Sequence, residues 1–225
     1  MSGLVEVTGP AIEPISRMEA RDHLRLDDDV DDSQVRSYIL AARNWAENYT
    51  GRVFISRTMR MFLDGFANVS GEPYWEGTRV APQIRTYSSY IEIAASPVIS
   101  VDSVKYYDDS DTESTWATSN YYVDTASDIA KIVLRDGGTF PTDLRSANGL
   151  EINFTAGYGT SANDVPEAVR MGMMQYMTFL YEHRGEFERF PPPSPPVVIK
   201  SLLNPYKIMR FGTTPYQKML KVGIG

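Results

Sequence analysis

Residues 16–64 read SRMEARDHLRLDDDVDDSQVRSYILAARNWAENYTGRVFISRTMRMFLD, and within this stretch the apolar period changes from helical to extended. Ser16-Arg17-Met18-Glu19 has the spacing of a capping box, in which hydroxyl and carboxylate each satisfy a free backbone donor at a helix start. A short helix to about Leu24 is expected. The acidic run Asp27 to Asp32 reads as a loop, and Asp32 or Ser33 can cap the next helix at the favourable end of its dipole. There Val35, Ile39, Ala42, Ala46 and Tyr49 recur at helical spacing until Thr50-Gly51 supplies a stop. From Val53 the period is two. Val53, Ile55, Met59, Met61 and Leu63 alternate with Arg57, Arg60 and Asp64, as a strand with one wet face requires. Helix followed by strand in one stretch predicts an α+β chain.

Working outward, residues 65–89 form a long loop-like excursion rich in Gly, Ser, Pro and aromatics, a length that is unusual unless functional. Strand-like runs follow at Tyr90 to Ala94, Val98 to Tyr107, Tyr121 to Thr125, Lys131 to Leu134 and Leu150 to Ala156, separated by turn formers such as Asp108 to Asp111 and Gly137-Gly138. A third helix is expected from Pro166 to about Arg184. It is apolar nearly all round, with four Met residues, and so is buried in this subunit or against another. PPPSPP at 191–196 predicts a stiff polyproline spacer, and the basic, apolar tail beyond it wants a partner, the alternative being that it folds back on its own body.

The expected fold is therefore an N-terminal helical hairpin and a third long helix forming a small bundle. A small, mainly antiparallel β domain lies between, and an extended arm closes the chain. The boundaries are 1–52 for the hairpin, 53–160 for the β domain with its excursion 65–89, 161–190 for the long helix, and 191–225 for spacer and docking arm. The second helix carries a further apolar stripe, Tyr38, Ala41 and Trp45, which is either a subunit interface or buried within one subunit.

Composition excludes several classes of function. With 225 residues and 42% hydrophobic content the chain can bury a real core, and with no cysteine it has no disulfide, thiolate nucleophile or zinc ribbon. The N-terminus lacks a signal-peptide pattern and no window is apolar enough to cross a bilayer, so a soluble, cytoplasmically assembled protein is expected. Sequons at Asn48, Asn68 and Asn153 then carry no meaning. The net charge of -7 is uneven: Lys200, Lys207, Arg210, Lys218 and Lys221 follow Val197 without an acid, which leaves 17 basic and 29 acidic groups elsewhere. Such a body does not grip phosphates.

Chemistry-bearing motifs are lacking. The two histidines, His23 and His183, have no ligand spacing, and the acidic runs lack the glycine and bidentate acid of a calcium loop, so neither a metal nor a cofactor is expected. Ala156-Gly157-Tyr158-Gly159 lacks a third glycine and reads as a turn, not a phosphate cradle. No serine motif points to a nucleophile. A carbohydrate-active β domain using Tyr74, Trp75, Tyr87 and Tyr90 is a remote alternative that needs paired carboxylates.

The order of these features resembles the tailed-bacteriophage head-to-tail connector (adaptor, head completion) family. The residues that carry the resemblance are EPISRMEARDHLRLDDDVDDSQVRSYILAARNWAENYTGRVFISRTMRMFLDGF, SPVISVDSVKYYDDSD, NYYVDTASDIAKIVLRDG, LEINFTAGYGTSANDVPEAVRMGMMQYMTFLYEHRGE and SLLNPYK. The resemblance implies a structural, non-enzymatic protein in the neck of a virion. Its partners would be the portal protein, a stopper or tail completion protein, and further copies of itself in a ring of about twelve, with DNA passing through the lumen unbound. A tail-side completion or terminator protein is the alternative. Portal docking is expected at Val198, Ile199, Lys200, Leu202, Leu203, Pro205, Tyr206, Lys207, Met209 and Arg210. Tyr38, Ala41, Trp45, Met173 and Met177 are the expected subunit interface.

Overall fold

The computed structural model describes residues 3–26, 32–65, 86–87, 90–184 and 194–208. Four helices and nine strands are present among them, so the chain is α+β as its periodicity predicts. The acidic run 27–31, most of the excursion 65–89 and the tail after Ile208 lie outside the described residues. The fold divides into two compact units, a helical one built from residues 8–57 and 156–208 and a β one built around 58–155 with the first strand.

In the helical unit, α1 (Arg17–Leu24) starts at the predicted capping box. Glu19 N donates to Ser16 Oγ at 3.2 Å, and Ser16 N donates to Glu19 Oε2 at 2.8 Å. Helix α2 (Asp32–Thr50) buries Val35, Ile39, Ala42 and Ala46 along one face and stops at Gly51, whose φ of 72° favours glycine. Helix α3 (Glu167–Glu182) starts directly after Pro166 and contributes Val169, Met173, Met177 and Phe179 to the same core. A helix apolar on most faces is stable only when surrounded, and α1, α2 and α4 all contact it.

The fourth helix corrects the expectation of an extended arm. Residues Val197–Leu203 form α4, with Ile199 and Leu203 buried in the helical core, followed by a 3-10 turn at Asn204–Tyr206. Ile199 and Leu203 stand one helical turn apart, and burying each contributes roughly 2 kcal/mol. Three bonds then fasten the segment to the end of α2: Tyr49 Oη to Asn204 Oδ1 at 2.6 Å, Arg52 Nε to the Tyr206 carbonyl at 2.6 Å, and Ile208 N to the Thr50 carbonyl at 2.8 Å. Up to Ile208 the segment therefore folds onto its own unit. Seven residues are too few for a helix that stands alone, so tertiary packing holds it.

The β unit contains two sheets. One has the order β1-β2-β9-β5-β6, from Gly3–Glu6, Arg57–Leu63, Leu150–Ala156, Val98–Tyr107 and Glu113–Thr115. The other has the order β3-β4-β8-β7, from Thr86–Tyr87, Tyr90–Glu92, Lys131–Leu134 and Tyr121–Asp124. The alternation in β2 is borne out: Met59, Met61 and Leu63 are buried while the residues between them are partly wet. Leu150, Ile152 and Phe154 on β9 and Ile91 and Ile132 on β4 and β8 complete the buried rows. Trp116 stacks on Tyr121 at 4.7 Å and donates its Nε1 proton to the Thr139 carbonyl at 3.1 Å, so its polar end is satisfied.

Gly157-Tyr158-Gly159 is a turn, laid against the strand-like segment that ends α2's connection. Tyr158 N donates to the Phe54 carbonyl at 3.0 Å and Ser56 N to the Gly159 carbonyl at 2.8 Å. At Gly157, φ is 141° and a Cβ would meet Ser56 N at 2.4 Å, so position and backbone both demand glycine. This is packing, not phosphate binding.

Candidate functional site

The segment leading into α1 is held down by charge. Arg43 on α2 bonds Glu13 through Nε at 2.8 Å and approaches Glu47 at 3.4 Å, while Arg57 reaches the same Glu47 carboxylate at 2.9 Å. The second oxygen of Glu47 accepts from Phe54 N at 2.9 Å. One carboxylate thus joins two guanidinium groups and a backbone donor in a part-buried position, where charge-assisted hydrogen bonds are strong. On the other side, Arg170 of α3 donates to the Pro14 carbonyl at 3.0 Å and to Glu167 at 2.8 Å, and also pairs with Glu19. The Ser16 backbone bond, opposed by some burial and aided by the Ser16 hydroxyl and Arg170, holds the Glu19 carboxyl below its usual range.

These ties fix residues 10–17 as the wall of a groove of about 570 Å³ in the helical unit. Its floor is Ile15 and Ile39, its wall Pro10 and Ile12, and its rim carries Arg17 and Arg36. Ile12 is 42% exposed, high for an isoleucine in a wall. No sequence signal marked this groove. Its residues come from the N-terminal segment, two helices and Ala162, and only the fold brings them together.

In the β unit a polar patch covers one part of the first sheet. The Tyr107 hydroxyl donates to Glu151 at 2.9 Å and lies 3.2 Å from Glu113, which also pairs with Lys105 at 2.7 Å. Burial, with the two carboxylates adding to it, pushes the Tyr107 phenol up to about 12. Arg145 lies over the Tyr107 ring at 4.2 Å and bonds Asp111 at 3.0 Å. The expected turn at Asp108 to Asp111 is closed by Asp108 Oδ1, which accepts from Ser110 N and Thr112 N. Its acids are turn builders.

Charge differs between the units. Among the described residues the β unit holds thirteen carboxylates against five Lys and Arg, whereas the helical unit holds eleven Lys and Arg against eight carboxylates. Among the described residues, then, the acid excess lies in the β unit. No cluster of three or more His, Asp or Glu able to hold a metal occurs among the described residues, and no described helix is long and apolar enough to cross a membrane.

The expected subunit-interface residues separate. Met173 and Met177 are fully buried in the helical core, so their contacts are with their own helices. Trp45 stacks on Tyr176 at 4.2 Å and on Tyr49 at 5.4 Å, and Tyr38 meets Tyr181 edge-on at 6.1 Å. Both are partly buried within this subunit, and Ala41 alone of that stripe is exposed. Of the expected docking residues, Ile199 and Leu203 are core, Lys200, Leu202 and Tyr206 are partly buried, and Val198, Pro205 and Lys207 are exposed. Met209 and Arg210 lie outside the described residues, as do Tyr74 and Trp75 of the remote carbohydrate-active alternative. Tyr87 and Tyr90 stand opposite each other across β3 and β4.

Residues 18–129 match the family model described as Phage gp6-like head-tail connector protein. That match covers just under half of the chain and agrees with the resemblance read from the sequence, that of a structural, non-enzymatic connector protein. Solved structures share the fold. A chain from the neck of an empty GTA particle, computed with C6 symmetry, is 24% identical, with TM-score 0.70, over 95% of this chain and 100% of its own. A chain from the virion of a native gene transfer agent particle is 22% identical with TM-score 0.70, covering 93% and 98% of the two chains. A chain from the neck of a native GTA particle, computed with C12 symmetry, is 23% identical with TM-score 0.67, over 95% and 100%. No curated protein matches the chain.

Proposed function

We propose that this protein is a ring subunit of the neck of a tailed, phage-like particle, located between the portal and a stopper or tail completion protein and assembled in the host cytoplasm. The observation that carries the reading is the connector-family match over residues 18–129, together with similarity of fold along nearly the whole chain to proteins of GTA necks. Those necks were computed with C6 and with C12 symmetry, and a ring of twelve copies is compatible with both. The acid excess of the β unit suits a surface past which DNA slides, because carboxylates offer phosphates no attachment.

Docking on the portal is assigned to the exposed residues of the C-terminal segment, Val198, Pro205 and Lys207, and to Met209, Arg210 and the basic sequence beyond. Because Ile199 and Leu203 are core, the deletion that tests this assignment starts after Ile208. A chain ending there should stay folded and lose capture by the portal protein in a pull-down. Undiminished capture would end the assignment. Imaging of intact particles tests the ring itself, and co-purification with free tails in place of filled heads would favour a tail-side role.

A further inference from the structure

We propose that the groove rimmed by Arg17 and Arg36 receives the acidic segment 27–31 of a second copy of this chain, and that this contact is one of the joints of the ring. The inference rests on the ring reading above and adds to it the surfaces that meet.

The groove offers positive charge over an apolar floor. Ile15 and Ile39 lie beneath it and the half-exposed Ile12 forms one wall. Glu13, the sole acid in its lining among the described residues, is turned into Arg43 at 2.8 Å, and the Arg43 side chain is itself only 9% exposed. Arg36 is exposed and forms no ion pair with any described residue. A ligand that fits is an acid-rich peptide with one aliphatic anchor: carboxylates for the rim, a branched side chain for the floor.

The chain carries such a peptide. Asp27-Asp28-Asp29-Val30-Asp31 surrounds one valine with four carboxylates. A head-to-tail ring requires each copy to present two different, mutually complementary surfaces, and groove and acidic segment are two such surfaces on one chain. The rim charges would set register and speed encounter, while Val30 would supply the anchor.

The absence of cysteine makes the test clean. Copies carrying Ile12→Cys are mixed with copies carrying Val30→Cys, assembled into neck particles and mildly oxidised. A disulfide-linked dimer is expected on a non-reducing gel, and a chain carrying both substitutions should give a ladder of covalent multimers. Arg36→Glu in the Ile12→Cys partner should lose the dimer. Rings that form without the link overturn the inference, as does a doubly substituted chain that links only to itself. Equal linking when Ile99→Cys on β5 replaces Ile12→Cys overturns it too. Imaging that finds no ring of this chain in the particles would show, independently of any cross-link, that the ring reading itself had failed.

Discussion

Gly172 of α3 faces Leu203 of α4 so closely that a Cβ at position 172 would lie 3.1 Å from the Leu203 Cδ2 atom. The missing side chain is what lets Leu203 reach full burial, and it makes the C-terminal segment part of the helical core. Leu203→Ala should therefore lower the free energy of unfolding by about 3 kcal/mol in a denaturant titration. Gly172→Leu should displace α4 and make the chain cleavable near Val197 in limited proteolysis. A loss below about 0.5 kcal/mol for Leu203→Ala would show that α4 is not part of the core.

Glu47 joins Arg43, Arg57 and Phe54 N at one carboxylate. Glu47→Ala removes the shared acceptor and keeps both guanidinium groups in part-buried positions, a change expected to cost about 3 kcal/mol. Glu47→Gln keeps the shape and one acceptor oxygen, and thermal unfolding should place it between wild type and the alanine variant.

The capping box gives a pH-dependent increment. Because the Glu19 carboxyl is held below its ordinary value of 4.5, its stabilisation is complete above that pH and is lost as pH falls through the lowered folded value. Ser16→Ala should cost about 1 kcal/mol at neutral pH. Denaturation series repeated at successively lower pH should show the difference between wild type and variant shrinking toward acid.

Tyr107 acts at the opposite end of the scale. Its phenol is raised from 10.0 to about 12, so folding favours the protonated form. The associated stability is present below pH 10 and declines as pH rises toward 12. Tyr107→Phe should flatten the alkaline decline measured by chemical denaturation. A slope equal to that of wild type would place the perturbation elsewhere.

Much of the local structure was legible because it is written locally. The capping box at Ser16, the stripe Val35 to Ala46, the alternation Met59 to Leu63 and the proline start of α3 each depend on spacings of a few residues. Strands β5, β8 and β9 match their sequence-based bounds for the same reason. Strands β1, β3 and β6 were not legible, being four residues or fewer and dependent on a neighbour for their pairing. The sheet order, with β9 between β2 and β5, pairs segments far apart in sequence and has no local signature. Helix α4 was missed because five prolines at 191–196 stand before it in the sequence and its two buried residues have meaning only once Gly172 is opposite. The groove residues were invisible for a related reason: Ile12 and Arg36 carry no motif, and their significance is purely spatial.

The helical unit is interrupted in sequence, with α2 ending at Thr50 and α3 beginning at Glu167. During synthesis, then, the apolar face of α2 leaves the ribosome long before the helices that cover it. The β strands are complete earlier, so the inserted unit can fold while the helical core is still open. Closure waits for Leu203 at the end of α4, and until then the nascent chain carries an uncovered apolar stripe.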